Sequence, residues 1–104
     1  MKTFVMVTKL APEHIDPVDV AQVMKDRACG GTAWHSEIKE RCPEVRFLAH
    51  YALLGTYDFM DIYEAPSEEI AAKVSIITRS KGAFQVESWP AIPSAHFAKI
   101  IGDL

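Results

Sequence analysis

The stretch Val45-Arg46-Phe47-Leu48-Ala49-His50-Tyr51-Ala52-Leu53-Leu54-Gly55-Thr56-Tyr57-Asp58-Phe59-Met60-Asp61-Ile62-Tyr63-Glu64-Ala65-Pro66 decides the fold. Aromatic and aliphatic residues crowd both of its halves, and Gly55-Thr56-Tyr57 separates them. It reads as two strands, 45–54 and 58–65, joined by a tight turn. Pro66-Ser67-Glu68-Glu69 follows directly, with Ser67 as a helix cap and two acids at the positive end of the dipole.

Downstream, Ile70, Ala71, Val74 and Ile77 mark one apolar helical stripe, and Lys81-Gly82 closes that helix. Residues 83–89 read as a further strand, which Pro90 ends, and residues 93–101 as a short terminal helix. Upstream, Phe4-Val5-Met6-Val7-Thr8-Lys9 reads as the first strand. Asp16-Pro17-Val18-Asp19 starts a helix, with Asp16 able to cap and Pro17 suited to the first helical position. Gly30-Gly31 interrupts it, Trp34 and Ile38 resume it, and Cys42-Pro43 ends it, because proline pushes the preceding residue out of helical geometry. The order is β-α-β-β-α-β plus a tail helix. That is an α+β, ferredoxin-like arrangement with a four-stranded antiparallel sheet, formed by residues 1–104 as one domain. Right-handed crossovers place the first and third strands at the centre of the sheet and the second and fourth at its edges.

Gly55-Thr56-Tyr57-Asp58, with Ile62-Tyr63-Glu64-Ala65-Pro66 and Glu87-Ser88-Trp89-Pro90, closely resembles the GYD-domain family, whose signature is Gly-x-Tyr-Asp. The opening Phe4-Val5-Met6-Val7 is similar too, whereas Cys29-Gly30-Gly31 and Trp34-His35 depart from the family pattern. The resemblance implies a dimeric α/β barrel, in which two such sheets face each other. It implies no established activity.

The chain has 104 residues, is 49% hydrophobic and 24% charged, and carries a formal net charge of −3. That is a globular profile of single-domain size, with no basic cluster for nucleic acid and no apolar run long enough to span a membrane. The N-terminal apolar stretch is too short for a signal peptide, so the expected location is cytoplasmic. Cys29 and Cys42 carry no CxxC pattern and read as free thiols. Cys29, His35 and Cys42 match no zinc spacing, so no metal is expected.

Strand alternation gives two faces. Phe4, Met6, Phe47, Ala49, Leu53, Met60, Ile62, Phe84 and Val86 suit the face under the helices. Val5, Val7, Lys9, Leu48, His50, Ala52, Phe59, Asp61, Tyr63, Gln85, Glu87 and Trp89 form a mixed face. The mixed face is too apolar for open water and too polar for an ordinary core, which points to a cavity between two subunits. Counting back from the turn pairs His50 with Asp61 and Leu48 with Tyr63. A His–carboxylate pair fixes one imidazole tautomer, as a general base needs, so His50 and Asp61 are the candidate catalytic residues. A structural cross-strand hydrogen bond is the competing account. Tyr63, Glu87 and Trp89 are candidate ligand-binding residues, with Trp89 also an interface anchor. Tyr57 and Asp58 join them on the strength of the motif; the alternative is turn chemistry, with Gly55 at positive φ and Asp58 bonding amides in the bend.

The expected function is small-molecule binding at the interface of a homodimer or higher assembly, with or without cofactor-independent catalysis. A ligand-sensing or assembly module is the alternative. A haem site on His50 or His35 is a third reading. The residues name neither a cofactor nor a substrate.

Overall fold

A computed structural model describes residues 1–10, 22, 25, 33–81 and 83–104. The expected helix start at Asp16-Pro17, the Cys29-Gly30-Gly31 segment and Gly82 lie outside the described residues. The elements are β1 (Lys2–Leu10), α1 (Ala33–Arg41), β2 (Arg46–Ala52), β3 (Phe59–Ala65), α2 (Glu68–Ser80), β4 (Ala83–Ala91) and α3 (Ser94–Gly102). The strands form one four-stranded sheet in the order β2-β3-β1-β4, with every neighbouring pair antiparallel. The centre and edges are those expected from right-handed crossovers.

The helices form where local chemistry favours them. The Ser67 side chain accepts a hydrogen bond from the Ile70 amide, Glu68 and Glu69 occupy the first turn of α2, and Arg79 the last. Ala71, Val74, Ile77 and Thr78 then point into the core from one side of the helix. Trp34, Ile38 and Cys42 recur every four residues on and just after α1, and all three are buried. Cys42 is a free thiol in the core, and burial pushes it up from its ordinary value. The two helices are joined inside by Trp34, whose Nε1 donates to Thr78 Oγ1 at 2.8 Å, while Thr78 donates in turn to the Val74 carbonyl at 2.7 Å. Outside, Glu37 of α1 lies 2.8 Å from Lys81 Nζ. Lys81, with Arg41 alongside, holds the Glu37 carboxyl below its usual range.

The pairing fixes the two faces. Under the helices run the rows Phe47-Tyr63-Phe4-Pro90, His50-Asp61-Met6-Ser88 and Ala52-Phe59-Thr8-Val86. On the open face run Ala49-Ile62-Val5-Trp89, Tyr51-Met60-Val7-Glu87 and Arg46-Glu64-Thr3-Ala91. The expected faces hold for Phe4, Met6, Phe47 and Val86, and for Val5, Val7, Glu87 and Trp89. They are reversed for all of β3 and for Ala49, His50 and Ala52. Leu48 does not face Tyr63 either. A bulge between Phe47 and Ala49 leaves it out of the ladder, and Phe47 takes its place opposite Tyr63. Phe84, expected in the core, is exposed.

Pro90 does not end pairing, because β4 continues to Ala91 with Pro90 opposite Phe4. An edge strand can carry a proline whose missing donor would have faced outward.

Candidate functional site

The expected His50–Asp61 pair is present. His50 Nδ1 lies 2.5 Å from Asp61 Oδ1, with the Asp61 side chain 1% exposed and that of His50 28% exposed. β2 and β3 place the two residues directly opposite each other, and the bulge at Leu48 brings His50 into this position. Its surroundings differ from those expected. The imidazole stacks on Phe59 at 5.3 Å and stands 6.2 Å from the ring of Trp34 on α1. The pair therefore lies beneath the helices, not between two sheets. Only the rim of the imidazole reaches solvent, and the carboxylate is part of the interior.

Tyr63 shares this face. It is fully buried, stacked on Phe4 at 5.5 Å and tilted against Phe47 at 5.8 Å. Burial is the main reason its hydroxyl is pushed up to about 12; the nearby Ser88 hydroxyl works the other way, and the Asp61 charge adds to the rise. The Tyr63 hydroxyl makes no hydrogen bond of ordinary length among the described residues. Ser88 is itself engaged by Ser75, at 2.6 Å between the two hydroxyl oxygens.

Glu87 and Trp89 lie on the opposite face, so the structure separates them from His50, Asp61 and Tyr63. Trp89 Nε1 donates to Glu87 Oε1 and Gln85 Nε2 to Glu87 Oε2, each at 3.3 Å. The expected single pocket lined by all five residues is thus two groups on two sides of one sheet. The other aromatic wall of the His50 group is Trp34, on α1. Its four-residue spacing to Ile38 signalled burial, but nothing in the sequence placed it over His50.

Tyr57 is half-buried in the turn. Asp58 binds a backbone amide, but not within the bend. Its Oδ2 accepts from the Leu10 amide at 2.8 Å, and its own amide donates to the Thr8 carbonyl at 2.8 Å. It fastens the β2–β3 hairpin to the end of β1. Gly55 does not adopt the left-handed backbone, and a Cβ there would meet open space. Gly55→Ala is accordingly expected to be neutral or to stabilise by up to about 1 kcal/mol. Asp58→Ala should cost about 1.5–3 kcal/mol, the range for a hydrogen bond to a charged group. Urea unfolding of both variants checks the contrast, and an alanine at 55 that costs more than one at 58 would refute it.

His50→Ala removes one partner of a buried carboxylate. A loss of about 1.5–3 kcal/mol is expected from the same principle. A variant as stable as the parent in urea would show that the pair contributes nothing to the fold.

Among the described residues no three His, Cys, Asp or Glu side chains converge as a metal site requires. No helix among them is long and apolar enough to cross a membrane.

The split β-α-β sheet with two covering helices makes this a ferredoxin-like α+β domain. Two solved structures share that fold. One is a hypothetical protein from Pyrococcus horikoshii, 16% identical, with 92% of this chain and 95% of that one covered at a TM-score of 0.52. The other is a protein from Arabidopsis thaliana, 10% identical, with 90% and 96% covered at a TM-score of 0.52. The GYD-domain model matches residues 4–101, and the chain belongs to the GYD-domain family. A curated relative, the glutamine synthetase and cystathionine beta-lyase binding protein of Thermus thermophilus, is 38% identical over 56 residues. That match covers 54% of this chain and 59% of the relative.

Proposed function

We propose that this GYD domain is an association module that pairs with a second copy of itself through the open face of its sheet. The observation that carries this reading is the make-up of that face. Ala49, Ile62 and Val5 form a half-buried apolar row that ends in Trp89, which is 47% exposed. Tyr51, Met60 and Val7 form the next row, in which Tyr51 is 54% exposed, Met60 half-buried and Val7 already buried. A monomer does not ordinarily leave such a face to water. Tryptophan and tyrosine are also the residues that anchor interfaces. A second copy supplies the matching surface, since a two-fold contact sets the same patch against itself. His50 and Asp61 lie on the other side of the sheet, so of the expected polar set this face keeps Glu87 but not the pair. The relative from Thermus thermophilus is named for binding two proteins, which supports a binding role over a catalytic one.

Sedimentation equilibrium tests the reading. The parent is expected to be a dimer at micromolar concentration, and Ile62→Asp, which plants a charge at the centre of the face, a folded monomer. A monomeric parent, or an Ile62→Asp dimer as tight as the parent, would overturn the reading.

One observation favours a second reading, a small-molecule site at the rim of the helix-covered face. The His50 imidazole is fixed by a buried carboxylate and flanked by Phe59 and Trp34, yet its edge reaches solvent. Native mass spectrometry would support this site if it found a co-purified mass that His50→Gln releases. Absorbance in the Soret region would identify that mass as haem. A protein that carries no extra mass on purification counts against the site.

A further inference from the structure

The last segment of the chain is built to be covered and is not. Every residue from Ile92 to Leu104 is exposed, and α3 buries no side chain. Its apolar residues are nevertheless ordered. Phe97, Ile100, Ile101 and Leu104 follow the i, i+3, i+4, i+7 spacing of one helical face, at 49%, 42%, 52% and 103% exposure. Nine residues are too few to hold a helix in water without packing. About half of each of Phe97, Ile100 and Ile101 is left uncovered, so the stripe offers an apolar surface to a further partner.

The sheet offers one. β4, which α3 follows, is one edge of the sheet, and β2 is the other. On β2 the bulged Leu48 is 49% exposed and Tyr51 54% exposed, along an edge that pairs with no second strand among the described residues. Exposed strand edges of this kind are ordinarily covered or charged. In a two-fold pair of facing sheets with the axis along the strands, the β4 edge of each copy lies over the β2 edge of the other. An isologous contact then satisfies both surfaces twice, helix to edge and edge to helix.

We infer that α3 is an exchanged arm. It leaves the β4 edge, crosses to the second copy, and seats Phe97, Ile100 and Ile101 on Leu48 of the partner subunit and Tyr51 of the partner subunit. The inference rests on self-association through the open sheet face and adds the element that closes the pair at its edges.

The test mixes two single variants, Leu48→Cys and Ile101→Cys, under mild oxidation, with the parent chain as the control for its native thiols. A disulfide-linked heterodimer that neither variant nor the parent forms alone is expected. Ile100→Asp/Ile101→Asp should weaken the dimer at least tenfold in sedimentation while leaving the circular dichroism of the core intact, because α3 buries nothing in its own subunit. A parent that is dimeric, gives no heterodimer link and keeps its affinity in the double variant overturns the arm and leaves the sheet-face contact standing. A monomeric parent overturns both.

Discussion

Tyr63→Ala is expected to lose about 3–5 kcal/mol of stability, the range for removing a large aromatic side chain from a core. Tyr63 is fully buried where β3 meets β1 and β2, its ring against Phe4 on one side and Phe47 on the other. Phe4 lies on β1, which is paired on both sides, and Phe47 is paired directly opposite Tyr63, so the space cannot collapse cheaply. A domain of this size has a total stability of about 5–15 kcal/mol, and the variant should sit near the limit of folding. Urea unfolding of the parent and the variant measures the loss. A cost below about 1.5 kcal/mol would mean that the core repacks around the gap. Tyr63→Phe, which keeps the ring and removes only the hydroxyl, should fall within about 1 kcal/mol of the parent, because that hydroxyl has no ordinary hydrogen bond to forfeit.

Tyr63 also makes the fold sensitive to alkali. Its hydroxyl ionises near 10.0 when solvated and is pushed up to about 12 in the folded chain, mainly by burial. A raised value in the folded state means that the unfolded chain gives up its proton first. The stability contribution is therefore complete below pH 10 and is lost as the pH rises from about 10 to about 12. Two units correspond to about 3 kcal/mol. The free energy of unfolding should decline over that window in the parent. In Tyr63→Phe this component should vanish, leaving a flatter profile. Equal slopes for the two proteins between pH 10 and 12 would show that Tyr63 is not the group responsible.

Much of the fold was legible in the chain because its signals are local. The strand–turn–strand of 45–65, the Ser67 cap with its two acids, and the Ala71, Val74 and Ile77 stripe each lie within a dozen residues. Even the His50–Asp61 pairing followed from counting across a single hairpin. The bulge at Leu48 was not legible, since a bulge is stabilised by the partners it creates, here Phe47 opposite Tyr63 and His50 opposite Asp61. The turn at Gly55-Thr56-Tyr57 is a local signal, but its bonding is not. Asp58 serves β1, which is some fifty residues away in the chain, and Gly55 has no special backbone.

The face of β3 was decided by the tertiary structure alone. Phe59-Met60-Asp61-Ile62-Tyr63-Glu64-Ala65 carries apolar residues at both parities, so alternation does not say which set is buried. Reading Asp61 as a surface or cavity residue follows from the cost of burying a carboxylate. The folded chain meets that cost with His50, and the β1–β3 register, Met6 opposite Asp61, sets the row under the helices. By itself, the sequence determined the described strands and the helices after β3, their order, the sheet topology and the pairing of His50 with Asp61 across the hairpin. Which side of the sheet that pair occupies depends on a non-local register, and only the packing of β1 and the helices against it decides that.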